Sequence, residues 1–169
     1  MKFFMDWIYG KTILVTGASS GLGRALTVQL IREQNCKVIG VGQSEEKMMS
    51  LKEELTYLRD EFDYRIFDVS VQENWTQFVE ELLEDNIQVD LLINNAGILL
   101  PFDKSVNYTE EQVHTCMDIN FHGCRYAINA MLPILRQSTM AGIVNVSSSD
   151  ALAGIIGTSI YLSLIHISE

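Results

Sequence analysis

From residue 11 onward, short runs of β-branched and apolar residues alternate with longer amphipathic stretches, and few architectures tolerate that alternation. Lys11–Thr16 (KTILVT) reads as a strand buried on both faces, and Gly21–Gln34 has helical spacing with Leu22, Leu26, Leu30 and Ile31 along one side. Lys37–Val41 reads as a second strand. Ser44 is placed to cap a charged helix running to about Arg59, with Met48, Leu51, Leu55 and Leu58 as its apolar stripe. A third strand is expected at Tyr64–Phe67. Ser70-Val71-Gln72-Glu73 then has the form of a capping box, opening a helix that ends near Asn86. Val89–Ile93 reads as a fourth strand. Thr109-Glu110-Glu111-Gln112 is a second capping box, opening a long helix to about Gln137 that Pro133 should bend or interrupt. Gly142–Val146 reads as the fifth strand.

Strands joined through helices must pair in parallel, and right-handed crossovers then leave few topologies. The expectation is an α/β fold: a Rossmann-type doubly wound parallel sheet of strand order 3-2-1-4-5, in one domain over residues 1–161. Sheets of this kind bind ligands beyond the carboxyl ends of their strands. A length of 169 residues with 47% hydrophobic and 20% charged residues suits one folded domain. Twelve basic against 22 acidic residues give a net charge of −10, which argues against nucleic acid and anionic membrane as partners. The opening MKFFMDWIYGK is too short and too interrupted for a secretory signal or a membrane span. Cys36, Cys116 and Cys124 have no metal-like spacing and cannot all pair. Reduced thiols, a cytoplasmic location and no metal site are the expectation.

Thr16-Gly17-Ala18-Ser19-Ser20-Gly21-Leu22-Gly23 lies between the first strand and the first helix. Glycines there let the backbone turn tightly and approach a pyrophosphate, whose charge is stabilised at the helix N-terminus. This is not a Walker loop, because Leu22 stands where that motif needs its second glycine.

With this turn, Asn94-Asn95-Ala96-Gly97 and Met117-Asp118-Ile119-Asn120, the sequence resembles the short-chain dehydrogenase/reductase family from about residue 10 to Tyr161. The resemblance implies that Gly17, Ser19, Ser20, Gly21, Leu22 and Gly23 hold the pyrophosphate of a nicotinamide cofactor. It implies that Asp68 and Val69 meet the adenine, and that Asn95, Ala96 and Gly97 line the cofactor cleft. An NAD enzyme usually places a carboxylate about 20 residues past the turn. That count falls on Gly42, Gln43 and Ser44, while Glu45 and Glu46 read as first-turn helix residues. Gln43 can bond either a ribose hydroxyl or a phosphate, so the cofactor is NADP or NAD, with the lean toward NADP.

The resemblance further implies a catalytic set of Asn120, Ser148 and Tyr161. Ser148 has the family spacing to Tyr161, with Ser147 and Ser149 as alternatives. The activity implied is interconversion of a small-molecule alcohol and carbonyl by hydride transfer, in a parent that is a homo-oligomer. The family's lysine, four residues after the tyrosine, is Ile165 here. Two explanations stand. The chain is a pseudoenzyme or cofactor-binding regulator, or residues 162–169 (LSLIHISE) are a non-native tail, because they resemble a translated sequencing adapter. On the second reading the chain is an incomplete, inactive fragment.

Overall fold

The computed structural model describes residues 6–152 and 155–166. Five strands form one sheet: β1 (Thr12–Thr16), β2 (Lys37–Gly42), β3 (Phe62–Ile66), β4 (Leu91–Asn94) and β5 (Gly142–Asn145). Their order is β3-β2-β1-β4-β5 and all neighbours are parallel, as the alternation demands. Side chains of β1 alternate between two cores. Ile13 and Val15 enter one with Val38, Leu91 and Ile93, under α1 (Gly21–Gln34) and α2 (Glu45–Glu54). Leu14 enters the other with Ile39, Val41 and Leu92, under α3 (Gln72–Glu84) and α5 (Cys124–Leu135). Complete burial of Ile13, Leu14 and Val15 contributes about 1.5–3 kcal/mol apiece, so β1 is the axis of the fold.

Several boundaries differ from the sequence reading, each for a local reason. Leu22 is 61% exposed, because the buried stripe of α1 runs through Gly23, Thr27, Leu30 and Ile31. The helix capped by Ser44 stops at Glu54, since Thr56 turns into the left-handed region (φ 48°) and a 3-10 turn, Thr56–Glu61, comes next. Leu58 is consequently half-exposed, and β3 begins at Phe62 rather than Tyr64. The Ser70 box does not form. Val71 is the cap of α3, and the Ser70 hydroxyl and N–H both donate to Asp68 Oδ1, at 2.7 and 2.9 Å. That helix ends at Glu84. β4 starts at Leu91, because Val89 and Asp90 precede its ladder.

The Thr109 capping box forms with both of its bonds, opening α4 (Glu110–Met117). The expected continuous α-helix is interrupted by a π-helical turn, Asp118–Gly123, before α5 resumes. Pro133 lies inside α5, which ends two residues later at Leu135. It removes the N–H that would bond the Asn129 carbonyl, so the break falls in the last turn and the helix before it is kept. β5 is an edge strand whose Ile143 and Val144 are partly exposed. Beyond it, α6 spans Ser159–His166, so Leu162–His166 of the LSLIHISE segment are helical while 167–169 lie outside the described residues. All three cysteines are free thiols; burial pushes each of them up from the ordinary thiol range. Among the described residues no helix is long and apolar enough to cross a membrane.

Candidate active site

The carboxyl ends of β1, β4 and β5 meet at one place, and Thr16 is the hub. Its hydroxyl oxygen accepts the N–H of Asn95 at 2.9 Å and of Ala96 at 3.0 Å. Its carbonyl accepts the Asn95 carboxamide at 2.9 Å. The glycine turn is thereby fastened to the NNAG segment, residues 79 positions apart. Gly17 has φ +69°, and a Cβ there would lie 2.9 Å from Ala96 Cα and the Asn95 amide nitrogen. A Cβ on Gly23 would collide with the Gly17 carbonyl. Both positions therefore require glycine, for backbone conformation or for close approach.

Whether this turn suits a pyrophosphate is decided by the start of α1. Ser20 occupies the N-cap position but its side chain makes no capping bond, so the first-turn N–H groups have no side-chain acceptor. At Gly21 the space a Cβ would fill is open. An uncapped terminus on a 14-residue helix, beside an open glycine, fits an anion. Ser19 lies against Gly42 at the end of β2, next to the exposed Gln43. Ser44 caps α2, and Glu45 and Glu46 fill its first turn. Arg24 donates to the Glu54 carboxylate at 2.8 Å and to the Lys47 carbonyl at 3.0 Å, which commits its charge to α2. Asp68 is turned toward Ser70, and Val69 is buried against Gly123, where a Cβ would lie 3.0 Å from its Cγ2.

Asn120 sits inside the π turn, whose extra residue per turn reorients the side chains around it. Its carboxamide makes a two-way pair with Ile98: Oδ1 accepts the N–H at 2.7 Å and Nδ2 donates to the carbonyl at 2.8 Å. Nδ2 also donates to Cys116 Sγ at 3.3 Å. Asn120 therefore holds the segment leaving Gly97. Asn94 donates to Asn145 Oδ1 at 2.9 Å across β4 and β5, and its own buried Oδ1 has no partner among the described residues.

A cavity of about 480 Å³ opens at this point. Asn95, Ala96, Gly97, Asn120, Ser147 and Tyr161 share its wall, with apolar surface from Ile98, Phe121 and Ile128. Ser147, not Ser148, is part of that wall. The Ser148 hydroxyl accepts the Asp150 N–H at 3.1 Å, and among the described residues no hydrogen bond joins it to Tyr161. The sequence reading gave no role to Thr16 beyond its place in the motif. The available signal was a threonine ending a buried strand immediately before a turn, where its hydroxyl has only neighbouring strand ends to bond.

Residues 11–163 match the family profile of the short chain dehydrogenases. The chain belongs to that family. Its relatives include benzil reductase ((S)-benzoin forming) of Saccharomyces cerevisiae, 35% identical over 159 residues, an overlap of 90% of this chain and 59% of that protein. An NADP-dependent 3-hydroxy acid dehydrogenase of Schizosaccharomyces pombe is 29% identical over 163 residues, covering 94% and 62% of the two chains. Among solved structures, the closed form of serine dehydrogenase complexed with NADP+ superposes with a TM-score of 0.83 at 28% identity, over 92% of this chain and 61% of that one. This short chain dehydrogenase thus spans about three fifths of the length of the curated relatives it matches.

Proposed function

We propose that the complete protein interconverts an alcohol and a carbonyl with NADP(H), and that the chain with Ile165 binds the cofactor without turning it over. The observation that carries this reading is the cavity shared by Asn95, Ala96, Gly97, Asn120 and Tyr161, with Asn95 bonded to the glycine turn through Thr16. Gly17, Ser19, Ser20, Gly21, Leu22 and Gly23 hold the pyrophosphate, Asp68 and Val69 the adenine, and Asn95, Ala96 and Gly97 the face nearest the nicotinamide. The bound cofactor supplies the hydride. The Tyr161 phenol gives or takes the proton at the substrate oxygen. Ser148 orients that oxygen, with Ser147 the alternative that the cavity wall favours. Asn120 keeps the cleft floor in place through Ile98.

NADP is preferred because no carboxylate stands at Gly42 or Gln43 to repel a 2′-phosphate. The NADP-dependent relative and the NADP+ complex support the same choice. A cytoplasmic location and homo-oligomeric assembly of the parent belong to the same reading.

Turnover is expected to fail at Ile165. The resemblance places at 165 a lysine whose charge would assist proton transfer by the tyrosine, and isoleucine supplies no charge there. This residue is also what favours the second reading, a cofactor-binding regulator on the same fold. Fluorescence titration with NADPH and NADH is the test. Saturable binding, tighter for NADPH, is the expected result; binding of neither cofactor refutes the proposal. Steady-state ketone reduction by this chain would refute the second half alone. Sequencing the source DNA past the Tyr161 codon separates a non-native tail at 162–169 from a regulator: a lysine codon four residues on supports the enzyme, and an encoded LSLIHISE supports the regulator.

A further inference from the structure

The loop that leaves the cleft and the segment that delivers Tyr161 meet at one side chain outside the cavity. Tyr108 Oη lies 2.8 Å from the Pro101 carbonyl oxygen and 2.7 Å from that of Gly157. Its one proton is shared between these two acceptors, and the oxygen accepts the Asp103 N–H at 3.2 Å. That same N–H also points at the Gly157 carbonyl, at 3.2 Å. Asp103 closes its own turn by accepting the Lys104 N–H and the Asn107 side-chain amide, each at 2.7 Å. Gly157 has φ +88°, and a Cβ there would lie 3.2 Å from the Asp103 nitrogen and from Phe102 Cβ. The two backbones are packed as closely as glycine allows.

Gly157 leads directly into the first turn of α6. Thr158 is buried and its carbonyl accepts the Leu162 N–H at 2.8 Å, which encloses Tyr161 in that turn. Among the described residues, 155–166 are hydrogen-bonded to the rest of the molecule at Gly157 alone. Tyr108 and Asp103 make both of those bonds.

We propose that Tyr108 is a positioning residue for Tyr161: by tying Gly157 to the loop that leaves Gly97, its hydroxyl sets where α6 stands over the cleft. The inference rests on the reading of Tyr161 as the proton-transfer residue. Its test does not need turnover.

The experiment compares the full chain with Tyr108→Phe, which keeps the ring and removes only the hydroxyl. Amide hydrogen exchange is read over 101–108 and 157–162. Tyrosines labelled with ¹³C at the phenol carbon are followed by NMR, with Tyr161 assigned from Tyr161→Phe. The expected result is roughly 3–10-fold faster exchange at Leu162 and its neighbours, the loss of one hydrogen bond. The Tyr161 signal should shift while those of Tyr64 and Tyr126 stay in place. Gly157→Ala, which forces the two backbones apart, should reproduce that signature. Unchanged exchange at 157–162 with an unmoved Tyr161 signal, whatever happens at 101–108, overturns the proposal. So does a uniform change in all tyrosine signals in both variants. If the unmodified chain binds no NADPH, the functional reading fails, and the exchange comparison still decides the role of Tyr108.

Discussion

Thr16 shows how much of a site can hang on one hydroxyl. It is 3% exposed and accepts two backbone N–H groups from the NNAG segment, bonds that no other nearby side chain replaces. Valine has the same shape and no acceptor. Thr16→Val should therefore cost about 1–3 kcal/mol, the penalty for half-buried donors left unpaired. A lower urea midpoint with an unchanged slope is the expected readout. NADPH affinity should fall in the same variant, because the backbones of Asn95 and Ala96 lose their bonds to the hydroxyl and only the Asn95 side chain still ties them to the glycine turn. An unaltered midpoint would mean that water replaces the hydroxyl without loss.

The helix between β4 and β5 carries its information in an irregularity. Two α-helical segments flank a π turn, and the Asn120 carboxamide within that turn pairs with both backbone groups of Ile98. Nothing in the hydrophobic spacing marks that turn, since Cys116, Ala127 and Met131 are buried at a spacing that a continuous α-helix would also give. Asn120→Ala is expected to leave the flanking helices formed and to free the strand-to-helix segment after Gly97. Circular dichroism should change little, while the Ile98 amide exchanges about tenfold faster, equivalent to about 1.4 kcal/mol. Loss of helix signal across α4 and α5 would instead assign Asn120 to the integrity of the helix itself.

At the end of the sheet away from the site, Asp90 joins elements that are distant in sequence. Its carboxylate accepts the Ser138 hydroxyl at 2.6 Å, the Thr12 N–H at 3.0 Å and the Lys11 ammonium at 3.4 Å. Partial burial works against its charge. The bonds from Ser138 and Thr12, with the Lys11 charge, outweigh that and hold the carboxyl below the usual aspartate range. A depressed folded-state value means stability that is complete above the unfolded value, ~3.9, and lost as pH falls through the folded one. Asp90→Asn should be less stable than the parent at neutral pH by about 1–3 kcal/mol. It should also show a shallower loss of stability below about pH 4. Urea unfolding at pH 7 and pH 3 checks both; parallel pH dependence in the two proteins would rule Asp90 out as the source of acid sensitivity.

Strand order, the glycine turn and the NNAG segment were legible before any coordinates, because each is written in consecutive residues. Alternation at a period of two or 3.6 fixes which residues face a core, and glycine spacing fixes where the backbone can turn. The parallel order then results from chirality. Other features were not legible: the Thr16 hub, the π turn at Asn120, which of the three candidate serines lines the cavity, and the Tyr108–Gly157 tie. Thr16 bonds residues 79 and 80 positions away, and Tyr108 bonds one 49 positions away. Which hydroxyl meets which backbone group at those separations depends on how whole helices and strands settle against one another. Local propensity carries no record of that packing.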